Sequence, residues 1–185
     1  MPRVAVLLAE GFEEVEAVAI VDVLRRAGID VVIAGLASGP VASARNVRIV
    51  PDAMIDAIKV EDFDMLVLPG GQPGANNLNE DDRVRDLILG FSGKGKLVGA
   101  ICAAPIVLGS AGILAGKHAT SYPSYKNNLG GARYEEKAVV IDGNVLTSRG
   151  AGTALCFGLA IVEKLMSREK ARNIQEAMLM SDDCD

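Results

Sequence analysis

Cys102 is the residue in this chain best placed to do covalent chemistry. It follows Lys96-Leu97-Val98-Gly99-Ala100-Ile101, an apolar run of strand length, and precedes Ala103-Ala104-Pro105 and a second apolar stretch of helical character. A strand that turns sharply into a helix needs small neighbours at the turn, and Ala100, Ala103 and Ala104 supply them. Small-x-nucleophile-x-small is the pattern that holds a catalytic serine or cysteine at the top of an α/β sheet. Pro105 suits a first helical turn, where its missing N–H goes unused. A thiol at this position meets free N–H groups and the positive end of a helix dipole. The pattern therefore predicts an ionised nucleophile with a pKa below the free value of about 8.5. The alternative is a small buried hydrophobe, as free cysteines often are.

Such a sulfur needs a proton partner and donors for developing negative charge. Glu10, Glu13, Glu14 and Glu16 crowd one loop and helical turn. Most of such a group serves the helix dipole and solubility, but one turned inward would have a raised pKa and could shuttle a proton; spacing does not say which. Gly70 and Gly71 end an apolar run and can simply terminate a strand. They also allow close approach of backbone, so the N–H groups of Gly71 and Ala103 are candidate oxyanion donors. Arg149-Gly150-Ala151-Gly152 lacks the lysine and hydroxyl of a phosphate loop and reads as a helix-entry turn. His118, the single histidine, reads as an exposed residue. Cys156 reads as packing within an apolar helix and Cys184 as a thiol on a frayed tail of five residues.

These residues need a scaffold. Residues 4–9 are a short continuous apolar run, as expected of a strand buried on both faces of a parallel sheet; 30–35 reads as the next strand, and 63–68 and 97–101 as further strands of the buried type. Helices are expected over Phe12 to Ala27, stopped by Gly28, and over 81–91, 105–112 and 153–166, with a closing helix capped by Ser167. Residues 45–50 read as a strand near an edge, 51–60 as a loop with one helical turn, and 119–121 as a short strand. Residues 134–141 and 144–148 read as a hairpin about Asp142-Gly143. Strand–helix alternation implies a mostly parallel sheet with helices on both faces, a three-layer α/β sandwich with a small β-hairpin. Ligands in such sheets bind beyond the carboxyl ends of the strands, where the loops at 10–16, 70–74 and 102 converge. The helix from Phe12 to Ala27 is apolar on more than one face, which predicts a second copy of the chain against it in a two-fold homodimer.

The 185 residues, 50% hydrophobic and 23% charged, suit a single globular domain spanning 1–185. A net charge of −5 without basic runs argues against a nucleic acid or an anionic membrane as partner. Three widely spaced cysteines with no C-x-x-C suggest neither a disulfide framework nor a structural metal site. The first apolar run is too short for a secretory h-region or a membrane span, so a reducing cytoplasm is the expected location.

Four stretches together resemble the ThiJ/PfpI superfamily, in its deglycase branch: Leu7-Leu8-Ala9-Glu10-Gly11-Phe12-Glu13-Glu14-Val15-Glu16, Val67-Leu68-Pro69-Gly70-Gly71, Ala100-Ile101-Cys102-Ala103-Ala104-Pro105 and Leu146-Thr147-Ser148-Arg149-Gly150. The resemblance implies a flavodoxin-like fold, a homodimer and a reactive, oxidisable Cys102. It implies Glu16 as the protonated carboxyl partner, Gly71 and Ala103 as oxyanion donors, and Gly70, Arg26, Arg45 and Tyr122 around the substrate, the arginines flanking the pocket across the interface. It further implies a glyoxalase or deglycase acting on methylglyoxal, glyoxal or early glycation adducts, with no metal or organic cofactor, or alternatively an oxidative-stress sensor or redox chaperone working through a Cys102 sulfinate. Ala103 stands where protease-like members carry a histidine, which argues against a cysteine peptidase or a glutamine amidotransferase. Tyr122 stands where some relatives carry a histidine, which implies weak turnover.

Overall fold

The computed structural model describes residues 1–181 and Cys184. Its centre is β1 (Arg3–Leu8), whose alternate side chains face opposite ways and are sealed on both sides: Val4, Val6 and Leu8 enter one apolar cluster, Ala5 and Leu7 the other. A strand with water on neither face has no use for polar residues, hence the unbroken apolar run. Strands β6 (Met65–Leu68) and β7 (Leu97–Ile101) are likewise apolar throughout and β2 (Asp30–Gly35) is apolar after Asp30, whereas β11 (Val145–Ser148) ends in the buried polar pair Thr147 and Ser148; β5 (Ala53–Met54) and β10 (Val139–Asp142) form the two edges.

The sheet runs β10-β11-β7-β6-β1-β2-β5, parallel throughout except for the β10–β11 hairpin. Its five long parallel strands, taken in chain order, lie 2-1-3-4-5, the flavodoxin-like arrangement. The chain builds outward from β1 to β2, then crosses back to lay β6 on the other side. The switch point between β1 and β6 opens a crevice at their carboxyl ends. Helices α1 (Glu14–Arg26), α5 (Ala154–Leu165) and α6 (Arg168–Ala177) contribute to the apolar cluster on one face, and α2 (Gly74–Glu80), α3 (Asp82–Gly93) and α4 (Pro105–Ser110) to that on the other.

Several boundaries move for local reasons. Helix α1 begins at Glu14, not Phe12, because the Phe12 backbone bridges Ser43; Gly28 ends it at φ +83°, as expected. Residues 45–50 do not form one edge strand. Asn46 turns at φ +63° between β3 (Val41–Ala42) and β4 (Arg48–Ile49), which pair as a separate two-stranded sheet. The expected helix at 81–91 is preceded by a second one, α2, and Asp81 caps α3 by accepting from the Arg83 N–H. Of the expected hairpin strand, Tyr134 belongs elsewhere: β9 (Arg133–Tyr134) pairs with β8 (His118–Ala119). Ser167 caps α6 as read, accepting from the Lys170 N–H.

The reading of Cys156 as packing and Cys184 as a tail thiol is corrected. The two are joined in a disulfide, their Cα atoms 5.4 Å apart across 28 residues of sequence. Helix α6 packs back on α5 and carries the segment beyond it to Cys156; no spacing motif betrays a bond that depends on this return. The Gln175 side chain donates to the Ser181 carbonyl, and the remainder of the expected frayed tail lies outside the described residues. No described helix is long and apolar enough to cross a membrane.

Helices α1 and α5 meet closely at Gly158, where an added Cβ would lie 2.9 Å from Val23 Cβ and 3.0 Å from its Cγ1. Val23 is stiff at χ1 and fully buried. Gly158→Val is therefore expected to lower unfolding stability by about 2 kcal/mol through overpacking, read as a fall in the urea midpoint at unchanged slope.

Candidate active site

Three loops after three adjacent strands build the site. Beyond β7, Cys102 occupies the elbow with φ +63°, a left-handed conformation that a residue bearing a Cβ rarely adopts. The surroundings hold it there: its N–H donates to the Ser148 carbonyl at 2.9 Å, and its carbonyl accepts from the Tyr122 N–H at 2.8 Å. Both contacts fix the sulfur's direction by pinning the backbone on either side. The backbone amides of Gly71 and Ala103 act on this sulfur and favour its charged form, so the pair of amides expected at an oxyanion site converges on Cys102.

Beyond β1, the first turn of α1 turns one of the four carboxylates inward. Glu10 accepts from the Ala42 N–H, Glu13 lies 3.8 Å from the Arg45 guanidinium, and Glu16 alone of the four is fully buried beside Cys102. Beyond β6, the Gly70 N–H donates to Glu16 Oε2 at 2.8 Å. The other oxygen, Oε1, is buried without a hydrogen bond of regular geometry, and the side chain that acts on this carboxyl as a hydrogen-bonding group is the Cys102 thiol.

Gly70 permits this contact. A Cβ there would sit 2.6 Å from Cys102 Cβ, 2.7 Å from the Ile101 carbonyl and 2.9 Å from Glu16 Oε2. Gly71, at φ +90°, would drive a Cβ to 2.3 Å from the Glu13 nitrogen. The glycines are there because two loops and the Cys102 side chain share one small volume.

Burial raises the pKa of both partners. It pushes Glu16 up to about 7, against the Gly70 N–H and the thiol, which favour the charged form. It pushes Cys102 up to about 12, helped by the charge on Glu16 and opposed by the Gly71 and Ala103 amides. This corrects the expectation of a sulfur ionised by the elbow alone. With the carboxylate charged the thiol keeps its proton, and a thiolate exists at neutral pH only when the proton sits on Glu16. One negative charge belongs to the pair, and the thiol–carboxylate and thiolate–carboxylic acid forms rise together as the first proton leaves.

The other expected site residues divide. Arg45 reaches the rim through Glu13. The ring of Tyr122 is half-exposed and lies against Gly150, while its backbone holds Cys102. Arg26 does not come to Cys102 within the chain: it lies ten residues past Glu16 on α1, about 15 Å along the helix, ion-paired to Asp22. His118 contacts Glu135 on the exposed β8–β9 ribbon. Ser148 was not read as part of the site; its signal is topological, because only the β11–β7 pairing places it next to Ile101. Among the described residues no group of His, Cys, Asp or Glu could hold a metal ion.

Residues 2–164 match the DJ-1/PfpI family. The protein dj-1beta of Drosophila melanogaster is 45% identical over 179 residues, 95% of this chain and 96% of that one. The chain belongs to the DJ-1/PfpI family. Among its DJ-1/PfpI relatives, the crystal structure of Drosophila DJ-1beta superposes with a TM-score of 0.92 at 44% identity, covering 97% of this chain and 98% of that one. The oxidised DJ-1 of Toxoplasma gondii superposes at 0.94 with 34% identity over 98% of this chain and all of that one. A Caenorhabditis elegans relative named a glutathione-independent glyoxalase is 38% identical, covering 93% of this chain and 92% of that one.

Since both tautomers of the pair appear as its first proton leaves, alkylation of Cys102 by iodoacetamide is expected to rise with pH through an inflection near 7, the value to which Glu16 is pushed, and then level off. In Glu16→Gln, which cannot hold that proton, the inflection near 7 is expected to vanish. A wild-type inflection at 8.5 or above would show two independent groups.

Proposed function

We propose that this DJ-1/PfpI protein is a cysteine-dependent, cofactor-free glyoxalase or deglycase acting on methylglyoxal, glyoxal or early glycation adducts. The observation that carries the reading is the contact of a buried carboxyl of pKa about 7 with a thiol held on a left-handed elbow. An acid–base group titrating at the working pH is the one that can both remove and return a proton. The C. elegans relative's name supports the same reaction class.

The sulfur of Cys102 attacks the aldehyde carbon of methylglyoxal while its proton passes to Glu16, and protonation of the resulting alkoxide gives a hemithioacetal. The amides of Gly71 and Ala103, aimed at the sulfur in the free protein, stabilise the negative charge as it moves onto oxygen. Glu16, again ionised, takes the proton from the carbon bearing sulfur and delivers it to the neighbouring carbon through an enediol, leaving a thioester. Water cleaves the thioester to lactate and restores the thiol, so the sum is addition of one water to methylglyoxal. Glycated thiols or amines enter through the same adduct.

A second reading rests on the same donors. A sulfinate at Cys102 would accept from the Gly71 and Ala103 amides and from protonated Glu16, which suits an oxidation sensor; the Toxoplasma relative is described in an oxidised form.

We also propose a two-fold homodimer through α1. Val15 and Val18 are half-exposed, and Val18 and Ile49 line an apolar recess of about 290 Å³ between α1 and β4. Valines so exposed are suited to a second α1, and such an interface would be the route by which Arg26 flanks the partner's site, since it does not reach the site in its own chain.

Lactate production from methylglyoxal is expected with wild-type protein, to be abolished in Cys102→Ser and to fall at least 100-fold in Glu16→Gln. Turnover surviving in Cys102→Ser would end the glyoxalase reading. Absence of turnover in all three, with peroxide converting Cys102 to a stable sulfinate, would leave the sensor. Light scattering is expected to give twice the chain mass for wild type and a monomer for Val18→Glu.

A further inference from the structure

The chain has two more cysteines, and the site described above uses neither. Cys156 lies on α5 and Cys184 beyond α6, with Cα atoms 5.4 Å apart, inside the range that a disulfide spans. Each is only partly buried, so small molecules can reach it. A cleft of about 470 Å³ gives access, lined by both cysteines and by Glu163, Arg168 and Arg172. Two guanidinium groups against one carboxylate in the lining, Arg172 being also ion-paired to Glu176, mean that a thiolate formed here does not face a wall of like charge.

The bond is not needed to build the core. The central sheet and both apolar clusters are complete with Ile174; past it, Met178, Met180 and Cys184 pack at the rim of one cluster. The linkage therefore acts locally and fastens the segment after α6 to α5. A partly exposed bond at the edge of a finished fold, opening on a cleft, is accessible to thiol–disulfide exchange, unlike one sealed in a core.

We infer that Cys156 and Cys184 form a reversible dithiol–disulfide site, chemically separate from Cys102, which hydrogen peroxide or a small-molecule disulfide closes and a small thiol opens, clasping or releasing the C-terminal segment. With peroxide, the O–O bond breaks as one sulfur takes a hydroxyl group and a water leaves. The second thiol, losing its proton, attacks that sulfur; the S–O bond breaks and the departing hydroxide takes the proton as a second water. With a small disulfide, one thiolate forms a mixed disulfide and expels a thiol, and the second thiolate expels the other. Either way the pair loses two electrons and two protons, which the oxidant takes up.

The test uses the full chain carrying Cys102→Ser, so that only this pair reacts and the outcome is independent of the proposed glyoxalase activity. Reduced protein is exposed to equimolar hydrogen peroxide or to oxidised glutathione, then mapped under non-reducing conditions. A peptide linking 156 to 184, loss of both maleimide-reactive thiols and full reversal by dithiothreitol are expected. Amide exchange over residues 174–181 is expected to be at least tenfold slower in the closed form than in the reduced form, and Cys184→Ser is expected to exchange at the reduced rate under both conditions. Thiols that stay alkylatable after either oxidant, or a linked peptide without any change in exchange, would overturn the inference.

Discussion

The contact between Glu16 and Cys102 is the constraint around which this molecule is arranged. A carboxyl with no exposed surface and a single regular hydrogen bond, from the Gly70 N–H, is costly to ionise. That cost raises its pKa to about 7, beside a thiol whose own pKa burial also raises. The contact requires the first turn of α1, the end of β6 and the elbow after β7 to occupy one small volume. The crossover from β2 back past β1 to β6 brings those three chain ends together.

Holding a non-glycine residue at positive φ costs about 1–3 kcal/mol, and the fold supplies restraints to match. The Cys102 N–H is fixed by Ser148 at the end of β11 and its carbonyl by Tyr122, so the elbow is held from two directions by parts of the chain distant in sequence. Ser148 is held in turn, its hydroxyl donating to the Ala138 carbonyl or bonding Thr153. The direction of the Cys102 side chain thus depends on the hairpin edge of the sheet.

The site and the cysteine pair make opposite uses of burial. At Cys102, restricted access to water raises the pKa of both the sulfur and the carboxyl beside it. At Cys156 and Cys184, partial exposure beside a cleft keeps sulfur open to exchange, and the bond ties down a segment that contributes little to the core. Helix α5 carries Cys156 and packs against α1, which carries Glu16, so the two kinds of sulfur chemistry are separated by one helix–helix interface.

Much of the fold was legible because burial on both faces leaves a plain signature: β6 and β7 are continuous apolar runs, as are β1 and β2 after their first residues, and glycine after α1 marks a left-handed stop. The elbow was legible too, since a turn that tight tolerates only small neighbours around Cys102. Two-residue strands such as β3, β4, β8 and β9 were not, because so few ladder bonds impose no pattern on composition.

Sequence alone determined that a cysteine sits where a buried strand becomes a helix, that carboxylates and glycines stand at the ends of neighbouring strands, and, through resemblance, which of them matter. Tertiary structure decided the rest. Which of four glutamates turns inward depends on how α1 seats against β6, and whether the thiol ionises alone depends on the charge it shares with that glutamate. Whether Arg26 lies near or far, and whether Cys156 and Cys184 meet, depends on which surfaces the packed helices bring together. These properties arise from distances across the chain, and distance across the chain is what local sequence does not carry.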